Sequence, residues 1–341
     1  PKSIPVVKEV PTAETMPLRE LERVNKKYRL KFSTDEYQAG MNVLIYGHPN
    51  MSETRNLLEH LRSLGINSVA LNFPFYQSDW QANEVFTSPE DTPTHGELRQ
   101  VIDIAHEIGL SVMLRPIMDE KAFMPARWRG EIQPTNPDSW FDSYQTLMLD
   151  YAALAESANV KAFNIGTELN SLQSRHQERW EELIHEIRRI YNGEILYSLN
   201  YDTVSDIPSI EFLTSLDYIG VDAYFPLNLP DGATVNMLQE EWKKQITGLE
   251  DILTEQTIIL TEAGVIPVTG AYRTPYVWDI PDGTFDPQVQ VNYYEATFKV
   301  WKPLSDGIYW WAVTLGEDSD KFRFSPLSLP TENVIKNIFL K

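Results

Sequence analysis

The sequence predicts a (β/α)8 barrel. Short apolar runs typical of buried strands alternate with amphipathic helical patterns from residue 41 to the end of the chain. Eight such strand–helix pairs span about 300 residues, which fits a closed barrel better than a doubly wound open sheet. Three of the predicted strand-to-helix loops, at 74–94, 118–135 and 263–286, are much longer than the usual ~2–6 residues. They are expected to form a substrate cleft.

In the first half of the chain, each predicted strand is followed by a helix with apolar residues every three or four positions. The pairs are 41–46 with Leu57, Leu58, Leu61 and Leu64; 66–73 with Leu98, Val101, Ile102, Ala105 and Ile108; 110–117 with Trp140, Tyr144, Leu147, Met148, Tyr151 and Leu154; and 160–167 with Trp180, Leu183, Ile184, Ile187 and Ile190. Ser52 is predicted to cap the first helix, and Asn136 with Pro137 opens the third. Gly65 and Gly109 mark helix ends.

The second half repeats the pattern. Its strands and helical faces are 195–199; 217–224 with Leu238, Trp242, Ile246, Leu249 and Leu253; 257–261 with Val291, Tyr294, Phe298 and Trp301; and 307–314 with Val334, Ile335 and Ile338. The barrel is therefore predicted to occupy residues 37–341. Residues 1–36, with four prolines among charged residues, are interpreted as an extension or linker.

The composition excludes several classes of function. There are 29 Lys and Arg against 49 Asp and Glu, a net charge of −20, so nucleic acid is not an expected partner. The absence of cysteine excludes disulfides and thiolate metal sites, and no apolar run is long enough to span a membrane. The 9 Trp, 16 Tyr and 14 Phe favour a neutral ligand with flat apolar faces, and we expect a monomer.

The first residue is Pro1, which leaves two interpretations of the cellular location. An upstream signal or anchor that is removed would place the protein outside the cell or on its surface. A trimmed boundary is the alternative, and it leaves a cytoplasmic location open.

Two acidic residues come directly at the ends of predicted strands. Glu168 follows the fourth strand and Glu262 ends the seventh. The carboxyl ends of barrel strands meet at the catalytic face, and these two strands lie across the barrel from each other. Two carboxyl groups flanking one bond are what double-displacement glycoside hydrolysis requires. The residue types alone do not say which glutamate is the acid/base and which the nucleophile.

Other strand ends supply candidate supporting residues. Tyr224 is placed to donate a hydrogen bond to Glu262, and Asn200 and Arg115 to hold substrate hydroxyls or the nucleophile. A structural ion pair with Asp222 is the alternative for Arg115. One of Trp310 and Trp311 must point into the barrel because strand side chains alternate, and Trp310 is predicted to form the floor of the sugar site. The list of expected substrate-binding residues is completed by the loop residues Trp128 and Trp278.

Five segments resemble glycoside hydrolase family 113, and the resemblance spans about residues 41–340. They are Trp128-Arg129-Gly130, Trp140 to Tyr144, Ile165 to Leu169, Asp217 to Tyr224 and Leu260 to Gly264. The resemblance implies a retaining (β/α)8 hydrolase with Glu168 as acid/base and Glu262 as nucleophile. Described members are mainly endo-acting β-1,4-mannanases. Arg115 stands before Pro116 where the family is expected to have lysine.

The sequence thus predicts a retaining β-glycosidase that cuts mannan or glucomannan and needs no cofactor. Two alternatives stay open: action on another β-linked glycan, such as a bacterial surface polymer, and a carbohydrate-binding barrel without turnover. The acidic residues Glu317, Asp318 and Asp320 are interpreted as a solvated loop rather than a Ca2+ site.

Overall fold

Eight parallel strands form a closed barrel in the computed structural model, which describes residues 37–316 and 323–340. Each strand pairs with the next along the chain, and the first pairs with the eighth. The strands are β1 (Gln38–Leu44), β2 (Ser68–Phe75), β3 (Ser111–Met118), β4 (Ala162–Thr167), β5 (Glu194–Asn200), β6 (Tyr218–Asp222), β7 (Ile258–Ala263) and β8 (Gly307–Thr314). The predicted fold class is confirmed. The predicted linker at 1–36 and the acidic loop at 317–320 lie outside the described residues.

Helices follow the strands and pack around the barrel. In the described residues the α-helices are α1 (Met51–Ser63), α2 (His95–Ile108), α3 (Pro137–Ser157), α4 (Asn170–Gln173), α5 (Gln177–Arg188), α6 (Val235–Ile246), α7 (Glu250–Thr254), α8 (Pro287–Trp301) and α9 (Thr331–Phe339). The segment after β5 forms two 3-10 helices instead, Tyr201–Ser209 and Glu211–Ser215. The cap of α1 is Asn50 rather than Ser52, because the Asn50 Oδ1 accepts from the amides of Ser52 and Glu53. None of these helices combines the length and apolar character needed to cross a bilayer.

One predicted helix is broken in two. Leu238 and Leu253 lie on α6 and α7, which are separated at Gly248. Gly248 has φ +86, a left-handed conformation that residues with a Cβ rarely adopt, so the α-helical path ends there. The apolar spacing continues across the break, which is why the pattern alone predicts one helix.

Two apolar layers hold the barrel. Between strands and helices, aromatic side chains pack in contact, for example Trp140 on Tyr144 with ring centroids at 4.7 Å and Trp180 on Phe212 at 5.4 Å. Inside the barrel, a smaller cluster fills the amino-terminal end of the strands. Its members are Ala70, Met113, Ala162, Leu196, Tyr218, Ile259 and Tyr309. Because this end is filled, a ligand can enter only from the carboxyl ends.

Candidate active site

Both predicted glutamates lie at the carboxyl-terminal face of the barrel. Glu262 is the last residue but one of β7, and Glu168 follows β4 directly. Glu168 has φ 55, and its amide donates to the Ser198 carbonyl of the neighbouring strand at 2.9 Å. This left-handed turn ends the strand pairing of β4 at the mouth of the barrel.

The carboxyl group of Glu262 is held by two donors. The Arg115 Nη1 donates to its Oε1 at 2.6 Å, and the Tyr224 hydroxyl donates to its Oε2 at 2.8 Å. Only 6% of the Glu262 side chain is exposed. One charged and one neutral donor stabilise the carboxylate and fix its orientation, so Glu262 is set up as an oriented anion.

The Arg115 side chain lies next to Glu262, and none of it is exposed. Its Nη2 donates to both carboxyl oxygens of Asp222 at 3.0 Å, and its Nη1 also contacts Asn72 at 3.1 Å. The structure therefore places Arg115 both in the ion pair with Asp222 and on Glu262. It leaves Arg115 no exposed surface for a sugar hydroxyl, which differs from the predicted role in substrate binding.

Asp222 belongs to the same buried network. Thr261 donates to its Oδ1 at 2.7 Å, from the residue just before Glu262. Burial raises the pKa of Asp222 to about 7. The Arg115 guanidinium opposes this rise, because it favours the charged form of the carboxyl group. From the sequence, Asp222 was predicted only as a possible ion-pair partner of Arg115. The spacing of residues along the chain gave no sign of its contact with Thr261.

The surroundings of Glu168 are different. Burial raises its pKa well above the ordinary value, the negative charges of Asp222 and Glu262 add to this, and the Arg129 guanidinium opposes it. The Arg129 Nη1 lies 3.3 Å from the Glu168 Oε2, and its Nε lies 2.8 Å from the Glu120 Oε1. The Glu168 side chain is 13% exposed. It is therefore a carboxyl group favoured in its protonated form and within reach of a ligand.

Arg129 and Glu120 were not predicted as site residues. The only signal for Arg129 is its place in the Trp128-Arg129-Gly130 segment of a long loop. The Glu120 Oε1 also accepts from the Arg129 backbone amide at 2.8 Å. These contacts hold Arg129 against the first residues of the loop after β3, and from there its guanidinium reaches Glu168.

The choice of Trp310 as the sugar-site floor is wrong. Trp310 is fully buried and stacks on Tyr294 of α8 at 4.0 Å between ring centroids, so it faces the helices. Tyr309 faces the barrel interior, and strand alternation then turns Trp311 inward as well. The Trp311 ring centroid lies 6.0 Å from the Arg115 Cζ, next to the Glu262 network.

The three other predicted substrate residues lie at different places around the mouth. Trp278 is 44% exposed and contacts the ring edges of Phe324 and Trp311 at 4.9 and 6.2 Å. Trp128 is half-buried and covers Gly130, where an added Cβ would lie 2.3 Å from the indole. The Asn200 Oδ1 accepts from its neighbouring backbone amide at 2.8 Å, so this atom shapes the chain after β5.

Most of the large exposed apolar side chains in the described residues surround this mouth. Those in the loops that follow strands are Tyr46, Phe86, Met124, Tyr276 and Trp278. An apolar rim around buried carboxyl groups is suited to a ligand with flat C–H faces and hydroxyl groups, such as a pyranose chain.

Comparisons with known proteins found one family model and several solved structures similar to this chain. The model of Glycoside Hydrolase Family 113 matches residues 45–317. A solved GH113 β-1,4-mannanase is 23% identical with a TM-score of 0.78, covering 90% of this chain and 100% of that one. The GH113 β-mannanase AaManA from Alicyclobacillus acidocaldarius is 22% identical with a TM-score of 0.76, covering 90% and 98%. A Ruminococcus gnavus β-glucuronidase is 10% identical with a TM-score of 0.62, covering 89% and 51%.

These identities to solved structures show a shared fold, and no curated protein sequence matches the chain. The family model spans most of the sequence, including both glutamates and all the strands from β2 to β8. The chain belongs to glycoside hydrolase family 113.

Proposed function

We propose that the protein is an endo-acting, retaining β-1,4-mannanase in which Glu168 is the acid/base and Glu262 the nucleophile. The main support is the contrast between the two carboxyl groups. Glu262 is an oriented carboxylate between Arg115 and Tyr224. Glu168 has its pKa raised by burial and by its acidic neighbours. Double displacement needs one group of each kind.

In the first half of the proposed reaction, Glu168 donates its proton to the oxygen that leaves. Glu262 forms a bond to the anomeric carbon as the glycosidic bond breaks. This step consumes the negative charge of Glu262, which is one of the causes that raise the pKa of Glu168. The pKa of Glu168 therefore falls once Glu262 is glycosylated, and Glu168 stays ionised so that it can act as the base in the next step.

In the second half, the Glu168 carboxylate takes a proton from water, which attacks the anomeric carbon and releases the sugar from Glu262. The Arg129 guanidinium at 3.3 Å stabilises the ionised Glu168 in this step. Arg115 and Tyr224 receive the Glu262 carboxylate when it is set free. Both glutamates thus return to their starting states.

Mannan is the proposed substrate on two grounds. The two family members compared above are described as β-mannanases. The apolar rim and the net charge of −20 favour a neutral polysaccharide over an anionic one. Trp311 and Trp278 would contact the sugar that becomes bound to Glu262, because both lie on the β8 side of that residue.

The test is incubation with β-1,4-linked oligosaccharides of mannose, glucose, xylose and N-acetylglucosamine, with products identified by mass. Several shorter oligomers from mannohexaose are expected, and a Glu168→Gln control should produce none. Cleavage of a different sugar alone would replace mannan in the proposal, and binding without any cleavage would favour a carbohydrate-binding protein.

Chemical rescue by azide tests the two roles. Azide should restore glycosyl transfer to Glu262→Ala and give a product of inverted anomeric configuration. In Glu168→Ala it should attack the glycosyl-enzyme and give a product of retained configuration. The opposite pattern would exchange the roles of the two glutamates.

A further inference from the structure

Two tyrosine rings lie parallel at the mouth of the barrel, and neither has a role in the reaction proposed above. Tyr201 and Tyr276 have ring centroids 6.4 Å apart and ring planes inclined by 5°. Tyr276 is 47% exposed and Tyr201 is half-buried. An exposed aromatic ring at a cleft offers a flat apolar face on which the C–H face of a sugar ring can pack.

The Tyr201 ring is supported by a packing contact, and the loop that carries Tyr276 is held by contacts of its other residues. Tyr201 directly follows β5, and its ring packs on Phe225 at 5.4 Å. Tyr276 belongs to the loop 264–286, which lies against the loop after β6. There the Leu227 amide donates to the Tyr272 carbonyl at 2.8 Å, and Arg273 pairs with Asp231 at 2.8 Å. The loop from β7 therefore reaches across β6 to the end of β5.

The same loop sends two exposed aromatic side chains to opposite sides of Glu262. Trp278 contacts Trp311 of β8, whereas Tyr276 contacts Tyr201 beyond β6. β5 is the neighbour of β4, which Glu168 follows. Burial raises the pKa of the Tyr201 hydroxyl, with additions from Tyr276, Asp202 and Glu168, so Tyr201 lies within electrostatic range of Glu168.

We propose that Tyr201 and Tyr276 form the subsite for the leaving-group sugar, a neutral pyranose on the side of Glu168. This inference rests on the proposed function. The acid/base protonates the oxygen that joins the two halves of the substrate, so the departing sugar lies on the side of Glu168. The sugar that stays bound to Glu262 lies toward Trp311. The scissile bond is then flanked by one aromatic site on each side.

The test compares two substrates in Tyr276→Ala. Mannohexaose places sugars on both sides of the scissile bond, whereas β-mannotriosyl fluoride has only fluoride as its leaving group. We expect kcat/KM to fall about tenfold on mannohexaose and less than about twofold on the fluoride. Trp278→Ala is the matched control from the same loop, and it should lower kcat/KM on both substrates.

A second readout uses mannobiose as an acceptor with β-mannotriosyl fluoride. The ratio of transfer to hydrolysis should fall several-fold in Tyr276→Ala, because the acceptor enters through the leaving-group subsite. This ratio is measured within one enzyme preparation and does not depend on the folded fraction. Equal losses on both substrates, or an unchanged transfer ratio, would overturn the inference. Wild-type cleavage of mannohexaose tests the proposed function separately.

Discussion

At the scale of single residues, the two glutamates differ because of the charges and donors around them. Asp222 supports both: it holds the Arg115 that contacts Glu262, and its charge raises the pKa of Glu168. Arg129 acts on Glu168 with the opposite sign. Asp222 therefore favours the protonated form of Glu168, whereas Arg129 favours its ionised form.

The first prediction concerns the pH dependence of kcat/KM. The acid form of Glu168 is required, so activity falls as pH rises through its pKa. Asp222→Asn removes a negative charge that raises the pKa of Glu168. The fall of kcat/KM at alkaline pH should therefore begin at a lower pH. Arg129→Gln removes the cation that lowers this pKa, and the fall should move to higher pH. Both directions are checked by measuring kcat/KM against pH for the wild type and the two variants on one mannan oligosaccharide. A common direction for the two variants would contradict this account.

The second prediction separates Trp311 from Trp310. Trp311→Ala should reduce kcat/KM of the folded enzyme about 10- to 100-fold, since its ring lies beside the Glu262 network. Trp310→Ala removes a buried ring stacked on Tyr294 and should cost about 3–5 kcal/mol in the free energy of unfolding. Denaturant unfolding and steady-state kinetics on both variants test this. Equal kinetic losses at unchanged stability would refute it.

The two glutamates could be located from the sequence because each lies at the end of an apolar strand of a recognisable barrel. It could not choose between Trp310 and Trp311, because alternation gives opposite faces but not which face is inward. That choice depends on Tyr309, whose hydroxyl contacts Ser68 and Gln38 inside the barrel at 2.6 Å. The contact between Tyr201 and Tyr276 was not predicted, because a contact between distant loops leaves no periodic signal.

At the scale of elements, buried apolar runs predicted the strands to within a few residues. The loop lengths also indicated a cleft, but not the path of each loop. The loop after β7 lies over the loop after β6 through contacts such as that of Tyr272 with Leu227, which are set by tertiary packing. Local patterns thus predict where elements lie, and long-range contacts decide where loop side chains point.

A third prediction concerns the packing of β1 on β8. Gly40 lies against the Tyr309 ring, where an added Cβ would be 2.3 Å from a ring carbon. Gly40→Ala should lower the free energy of unfolding by about 1–3 kcal/mol, because the ring must move inside a filled barrel. Gly96→Ala in α2 is the control, since its nearest neighbour would be 3.9 Å away. Thermal unfolding of both variants is the measurement, and equal midpoints would count against this packing account.

The net charge of −20 sets the electrostatic conditions under which a substrate approaches the protein. A neutral polysaccharide gains nothing from long-range charge, so salt should have little influence on its association. The expected extracellular location, the monomeric state and the domain boundary at residue 37 stay predictions.

The fourth prediction follows from this charge. Between about 0.05 and 0.5 M NaCl, kcat/KM on mannohexaose should change less than about twofold. A carboxymethylated mannan of similar length should be cleaved poorly at low salt and better at high salt, because screening weakens its repulsion. A steep salt dependence on the neutral oligosaccharide would contradict this account, and cleavage of the carboxymethylated mannan at low salt as fast as at high salt would also contradict it.

The backbone conformation of Glu168 lowers the stability of the folded protein. A residue with a Cβ in the left-handed region costs about 1–2 kcal/mol relative to glycine, and φ 55 places Glu168 there. Glycine or asparagine would suit this turn better than glutamate does. A library of variants selected only for heat resistance should therefore lose the acid at 168, and only selection for turnover would retain it.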